Sequence, residues 1–126
     1  MRKLLVAALT FAALAVPGSS SSSSSSQAWS SNWFQSPSGN IRCRYFGDSI
    51  ACTTLSNGRV AVATLSGSAY WGYYNYSFPG GPVLYYGQYY NVPGRFRCLS
   101  RSDGMYCLSL YSGHGFGIAR EFVRTY

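Results

Sequence analysis

Ile41-Arg42-Cys43-Arg44-Tyr45-Phe46-Gly47-Asp48-Ser49-Ile50-Ala51-Cys52-Thr53-Thr54 reads as two short strands around a two-residue turn. β-branched and aromatic residues fill both arms, and glycine stands first in the Gly47-Asp48 loop, where a type II′ turn needs a positive φ. In that register Phe46 faces Ser49 and Cys43 faces Cys52. Counting outward from the turn, the cysteine pair falls on a non-hydrogen-bonded rung, where side chains approach most closely, and this suits a cross-strand disulfide.

Cys98 and Cys107 repeat the same separation across Arg101-Ser102-Asp103-Gly104, a turn-rich quartet. The symmetry favours Cys43–Cys52 and Cys98–Cys107; the alternative is a pair of bridges between the two hairpins, which would close longer loops. A short likeness between Ser36–Cys43 and Ser100–Cys107 hints at an internal repeat. Val83–Tyr86, Gly87-Gln88 and Tyr89–Val92 suggest a third hairpin that sets Tyr86 against Tyr89 and Tyr85 against Tyr90. Phe116–Arg124 reads as a final strand. Beyond residue 28 no stretch keeps apolar residues at helical spacing over a helix's length without Gly or Pro, so the expected fold is all-β: a small disulfide-stapled antiparallel sheet or barrel-like domain built from hairpins.

The N-terminus has a different character. Arg2 and Lys3 precede an uncharged apolar run from Leu4 to Val16, then Pro17, Gly18 and a serine tract from Ser19 to Ser26. This order predicts a secretory signal peptide over residues 1–28, cut after Ala28 or, alternatively, after Gly18. The apolar run is shorter than the roughly 20 residues that span a bilayer, so no transmembrane segment is expected in the mature chain. No cysteine precedes Cys43, which excludes a lipid-modified cysteine at either cut.

Cutting after Ala28 leaves 126 − 28 = 98 residues as one secreted β domain over residues 29–126. A core of that size gains from cross-links, and an even cysteine count in an exported chain favours disulfides over metal ligation. Neither cysteine pair has C-x-x-C spacing and the chain has one histidine, so neither a metal nor a cofactor is implied. Losing Arg2 and Lys3 takes the formal charge from +7 to +5, with eight arginines against Asp48, Asp103 and Glu121. Such a balance attracts polyanions.

Phe34-Gln35-Ser36-Pro37-Ser38-Gly39-Asn40-Ile41 before Cys43, Leu84, Tyr86-Gly87-Gln88, Gly94-Arg95-Phe96-Arg97-Cys98-Leu99-Ser100 with Gly104 and Cys107, and Gly113-His114-Gly115-Phe116 before Arg120-Glu121 carry a resemblance. Over about Phe34 to Phe122 the chain resembles the DUF6636-type family of small secreted actinobacterial proteins. The middle departs from that pattern, with a tyrosine-rich stretch where relatives often carry another cysteine pair, and Ala119 stands where serine is usual. The resemblance implies export and an all-β fold and brings no activity with it.

Three groups of residues are candidates for function. Strand alternation puts Arg42 and Arg44 opposite Cys43, and Arg95, Arg97 and Arg101 opposite Cys98; if the hairpins share a sheet, these arginines form one cationic surface. The guanidinium fork matches phosphate and carboxylate, so the expected partner is an anionic cell-wall polymer or glycan, with non-specific nucleic-acid binding also open. Tyr73, Tyr74 and Tyr76, between Gly72 and Pro79, are the tyrosines expected at the surface, whereas about half of the others build the core. His114 lies between two glycines and lacks an evident orienting carboxylate, which favours a turn residue over a catalytic one. The leading expectation is a non-enzymatic extracellular binding domain with no catalytic residue. One alternative is a secreted inhibitor or effector that presents the Tyr70–Pro82 loop to a protein, and the last is a hydrolase dependent on His114.

Overall fold

A computed structural model describes residues 31–73 and 78–126. The expected signal peptide, both candidate cut sites, the serine tract, Tyr74 and Tyr76 lie outside the described residues. Among the described residues ten strands follow one another: β1 Trp33–Gln35, β2 Ile41–Tyr45, β3 Ser49–Thr54, β4 Arg59–Thr64, β5 Tyr70–Tyr73, β6 Tyr89–Val92, β7 Phe96–Arg101, β8 Gly104–Ser109, β9 Gly115–Ile118 and β10 Val123–Thr125. They form two five-stranded antiparallel sheets, β1 to β5 in sequence order and β6 to β10 likewise. The fold is all-β, as expected, and both disulfides are local: Cys43–Cys52 joins β2 to β3 and Cys98–Cys107 joins β7 to β8.

The first hairpin has the anticipated register. Phe46 N donates to the Ser49 carbonyl at 2.8 Å, Gly47 takes φ 101°, and Cys43 faces Cys52 with their Cα atoms 4.0 Å apart. Alternation then decides what is buried. Phe34, Ile41, Ile50 and Ala61 from the first sheet meet Tyr90, Phe96, Met105, Phe116 and Ile118 from the second in one core. Both disulfides sit at its centre, and Cys52 Sγ lies 3.8 Å from Cys107 Sγ. Neither sulfur carries a proton, so this is van der Waals contact between the two cross-links. Beside it the Phe34 and Tyr90 rings stack at 4.1 Å, an arrangement that contributes about 1 kcal/mol beyond area burial.

The sheets are two copies of one plan. A shift of 55 residues (98 − 43 and 107 − 52) lays Gly39–Gly58 on Gly94–Gly113 without a gap. It matches Gly39 with Gly94, Arg42 with Arg97, Cys43 with Cys98, Asp48 with Asp103, Cys52 with Cys107, Leu55 with Leu110 and Gly58 with Gly113. The backbone repeats too: Leu55 N donates to Asn40 O and Leu110 N to Arg95 O, both at 2.8 Å, and all four of the matched glycines have positive φ. Cys52 and Cys107, in contact, match by this shift, and Phe34 and Tyr90, also in contact, match by register, since they face Cys43 and Cys98; such like-to-like contacts occur across a two-fold axis. The repeat anticipated from Ser36–Cys43 and Ser100–Cys107 is therefore misaligned, because it matches Cys43 with Cys107 in place of Cys98.

Two further expectations are corrected. The turn at Gly87 is present, with φ 89°, but Tyr89–Val92 pairs with Phe96–Leu99 and not with Val83–Tyr86. Val83 instead makes a parallel bridge to Gln35, and Tyr85 and Tyr86 are exposed. Pairing β6 with β7 places Tyr90 beside Cys98 and buries its ring; the anticipated hairpin would forgo that. The stretch Phe116–Arg124 is two strands, since Ala119 N donates to Phe122 O at 2.9 Å and turns the chain back.

Candidate functional site

The two cysteine hairpins lie in facing sheets, so their outward arginines point away from each other. The single surface expected from Arg42, Arg44, Arg95, Arg97 and Arg101 does not form. On the first sheet Arg42 is half-buried and its Nη1 donates to the Phe78 carbonyl at 3.1 Å. Arg44 is held between aromatic rings, its guanidinium carbon 4.4 Å from the Trp33 centroid and 4.6 Å from that of Phe46. Phe78 packs on Ala51 and Val60 of this outer face and meets Trp33 edge-on at 5.9 Å. These two arginines serve the packing of a covered face.

The second sheet's outer face differs. Along β7, inward residues are buried while Arg97 and Arg101 are exposed and Leu99 is half-buried. The registers align Arg124, Gly117, Tyr106, Leu99 and Tyr89 in one row across all five strands. A Cβ on Gly117 would stand 2.7 Å from the Tyr106 ring, so this ring lies down over the glycine. Each arginine here has an aromatic neighbour: Arg97 over Tyr89 at 5.4 Å, Arg101 over Tyr106 at 5.6 Å and Arg124 over Phe122 at 4.9 Å. Stacking against a ring restrains the long side chain and leaves the fork's donors at the surface. Burial and then the neighbouring Asp103 carboxylate push the Tyr106 hydroxyl above its ordinary range, so it remains a neutral donor.

Arg124, Tyr106 and Phe122 belong to this face and escaped the reading of the sequence. Their signal was the polar Ala119-Arg120-Glu121 interruption, which marks a turn and brings a fifth strand to the sheet. Arg95 is not part of the face: it precedes β7, and its Nη1 donates to the Gly47 carbonyl at 3.0 Å. Tyr73 is exposed at the sheet edge, with Trp71 at 5.7 Å. His114 is exposed in the β8–β9 turn, its Nδ1 3.3 Å from the Tyr126 carbonyl and its backbone N donating to Ser112 Oγ. Its neighbouring glycines serve the backbone. Gly113 takes φ 83°, and a Cβ on Gly115 would collide with the Cys107 carbonyl.

Two concavities accompany the faces. An apolar groove of about 360 Å³ runs over Ala51, Val60 and Val62 between Phe46, Tyr70 and Phe78. A polar cleft of about 390 Å³ opens where the β1–β2 loop meets the β7–β8 and β9–β10 turns. Of the Tyr70–Pro82 segment, Tyr70–Tyr73 is strand β5 and Phe78 is buried on the first sheet. Among the described residues no helix is long and apolar enough to cross a membrane. Comparison with protein-family models, with curated proteins and with solved structures returns no match.

Proposed function

We propose that this protein is an exported, non-enzymatic binding domain of the DUF6636 type that holds an anionic extracellular polymer on the outer face of its second sheet. What carries the reading is the group of exposed Arg97, Arg101 and Arg124 on one sheet face, each over an aromatic side chain of that face. Among the described residues, of these three arginines only Arg101 has a carboxylate partner, Asp103 at 3.4 Å. Two local disulfides fit a protein made for an oxidising exterior. The contact is charge on charge with flat rings beside it, so it suits a chain of regularly spaced phosphates or carboxylates and is blind to sequence.

Titration with double-stranded DNA as a model polyanion tests it. Three engaged arginines give a slope of log K against log salt of about −3, and Arg97→Ala or Arg124→Ala each flattens it by about 1. Affinity that ignores both salt and these substitutions overturns the proposal. A second reading, an inhibitor or effector with a protein partner, draws on the apolar groove beside Phe46, Tyr70 and Phe78. It predicts recovery of one protein at defined stoichiometry, in high salt, that is lost in Tyr70→Ala.

A further inference from the structure

We infer that the polar cleft between the β1–β2 loop and the β7–β8 and β9–β10 turns is a second binding site, which shares Arg101 with the edge of the cationic face, and that its ligand is a neutral sugar residue. The inference starts from the break in the internal repeat. Shifting by 55 residues carries Asn40 to Arg95 and Ser102-Asp103 to Gly47-Asp48, so the fold has a matching junction at its other end. That junction is closed. Arg95 Nη1 donates to the Gly47 carbonyl, and Leu65 N donates to the Asp48 carbonyl at 3.0 Å. At the open end Asn40 is too short to cross, and its Oδ1 turns back to accept from Ser56 N at 3.0 Å. Arg120 holds the position of Leu65 by register, and the tight Ala119–Phe122 turn leads the chain away. The cleft of about 390 Å³ is what these changes leave, a size suited to a small ligand.

Its lining selects the ligand. The whole chain has three carboxylates, and two of them, Asp103 and Glu121, stand here with Arg101 and Arg120. Two positive and two negative charges leave the cleft neutral overall. Carboxylates repel an anion and guanidinium groups repel a cation, whereas a hydroxyl both donates to the first and accepts from the second. Ser102 and the Asn40 amide nitrogen add further donors, and Tyr86, 53% exposed, supplies a ring at the rim. A ligand dense in hydroxyls that also has an apolar flank for an aromatic ring is a pyranose, whose C–H face packs on tyrosine while its diols bridge Asp103 and Arg101.

The test titrates the isotope-labelled, oxidised protein with maltotriose and with cellotriose, followed by amide NMR at low and high salt. The expected result is saturable shifts at Asn40, Tyr86, Ser102 and Asp103, at millimolar sugar, unchanged by salt. Asp103→Asn and Tyr86→Ala should each weaken binding about tenfold, the second through an exposed residue whose loss leaves the core intact. Absence of shifts with both sugars, or shifts that persist at full strength in both variants, overturns the inference. Salt-sensitive DNA binding lost in Arg97→Ala and Arg124→Ala reads the sheet face through residues that do not line the cleft, so either site can fail while the other stands.

Discussion

Replacing Cys43 and Cys52 together by alanine removes one staple and leaves the other. The bridged residues are nine apart in sequence, and for a closed loop of about ten residues the chain-entropy relation gives ~2.6 kcal/mol at 25 °C. Packing adds to this, because the lost sulfurs are fully buried and one of them touches Cys107 at 3.8 Å. The gap left against the second disulfide costs about 1–2 kcal/mol more, for a total near 4 kcal/mol. Since small domains are stable by about 5–15 kcal/mol, such a variant folds but has a much lower denaturation midpoint. Cys98 and Cys107 have the same separation and burial, so their removal should cost the same within about 1 kcal/mol. Urea unfolding followed by circular dichroism measures both, and the slope against urea should rise as the unfolded chain expands. A loss under about 1 kcal/mol for either pair, or costs differing by more than about 2 kcal/mol, would refute the equivalence of the two staples.

Tyr90 provides a pH prediction: burial, then the nearby Tyr45, raises its pKa from 10.0 to about 12, and its hydroxyl donates to Ser31 O at 2.9 Å. The unfolded chain releases this proton first, so stability is unaffected below pH 10, falls between 10 and about 12, and then levels; Tyr90→Phe should flatten that fall in urea melts taken across the range. Gly115→Ala drives a methyl into the Cys107 carbonyl and should cost about 1–3 kcal/mol, measured as a drop in the urea midpoint. His114→Ala removes an exposed ring and should shift stability by no more than about 0.5 kcal/mol, checked by the thermal midpoint.

Much of the local structure was legible in the chain. Gly47-Asp48 and the cysteine spacing define the first hairpin because turn chemistry and rung parity act over a few residues. What was not legible is the partnership between distant segments. That the two cysteine hairpins face each other, instead of sharing a sheet, depends on Phe34 meeting Tyr90 across more than fifty residues, and no local pattern encodes it. The frame of the repeat is masked locally because serines and glycines precede both Cys43 and Cys107, whereas the true alignment rests on both cysteines of each hairpin at once. Gly87 marks a turn correctly but says nothing about which strand follows it into a pair. Likewise Arg42 and Arg97 are matched residues on outward faces, and alternation alone cannot reveal that Phe78 covers one face and leaves the other.

The difference between those faces follows from an exchange of volume between the two halves. Ala51 pairs with Val62 on the first sheet, and the matching pair on the second is Tyr106 with Gly117. Small side chains at the first place leave a depression that Phe78, arriving from the connection between the sheets, partly fills, and Arg42 secures it through the Phe78 carbonyl. At the second place Tyr106, with Phe122 beside it, covers Gly117 from within the sheet and its own turn, so that face is complete without a segment laid across it. What recurs in the two halves is what the fold requires of each, namely the cysteines, the turn aspartates and the positive-φ glycine pairs Gly39/Gly94 and Gly58/Gly113. The proposed binding surfaces both lie where the halves diverge: one exchange leaves the arginines of the second sheet uncovered, and another, Asn40 for Arg95, opens the cleft at one end of the molecule while its twin stays shut.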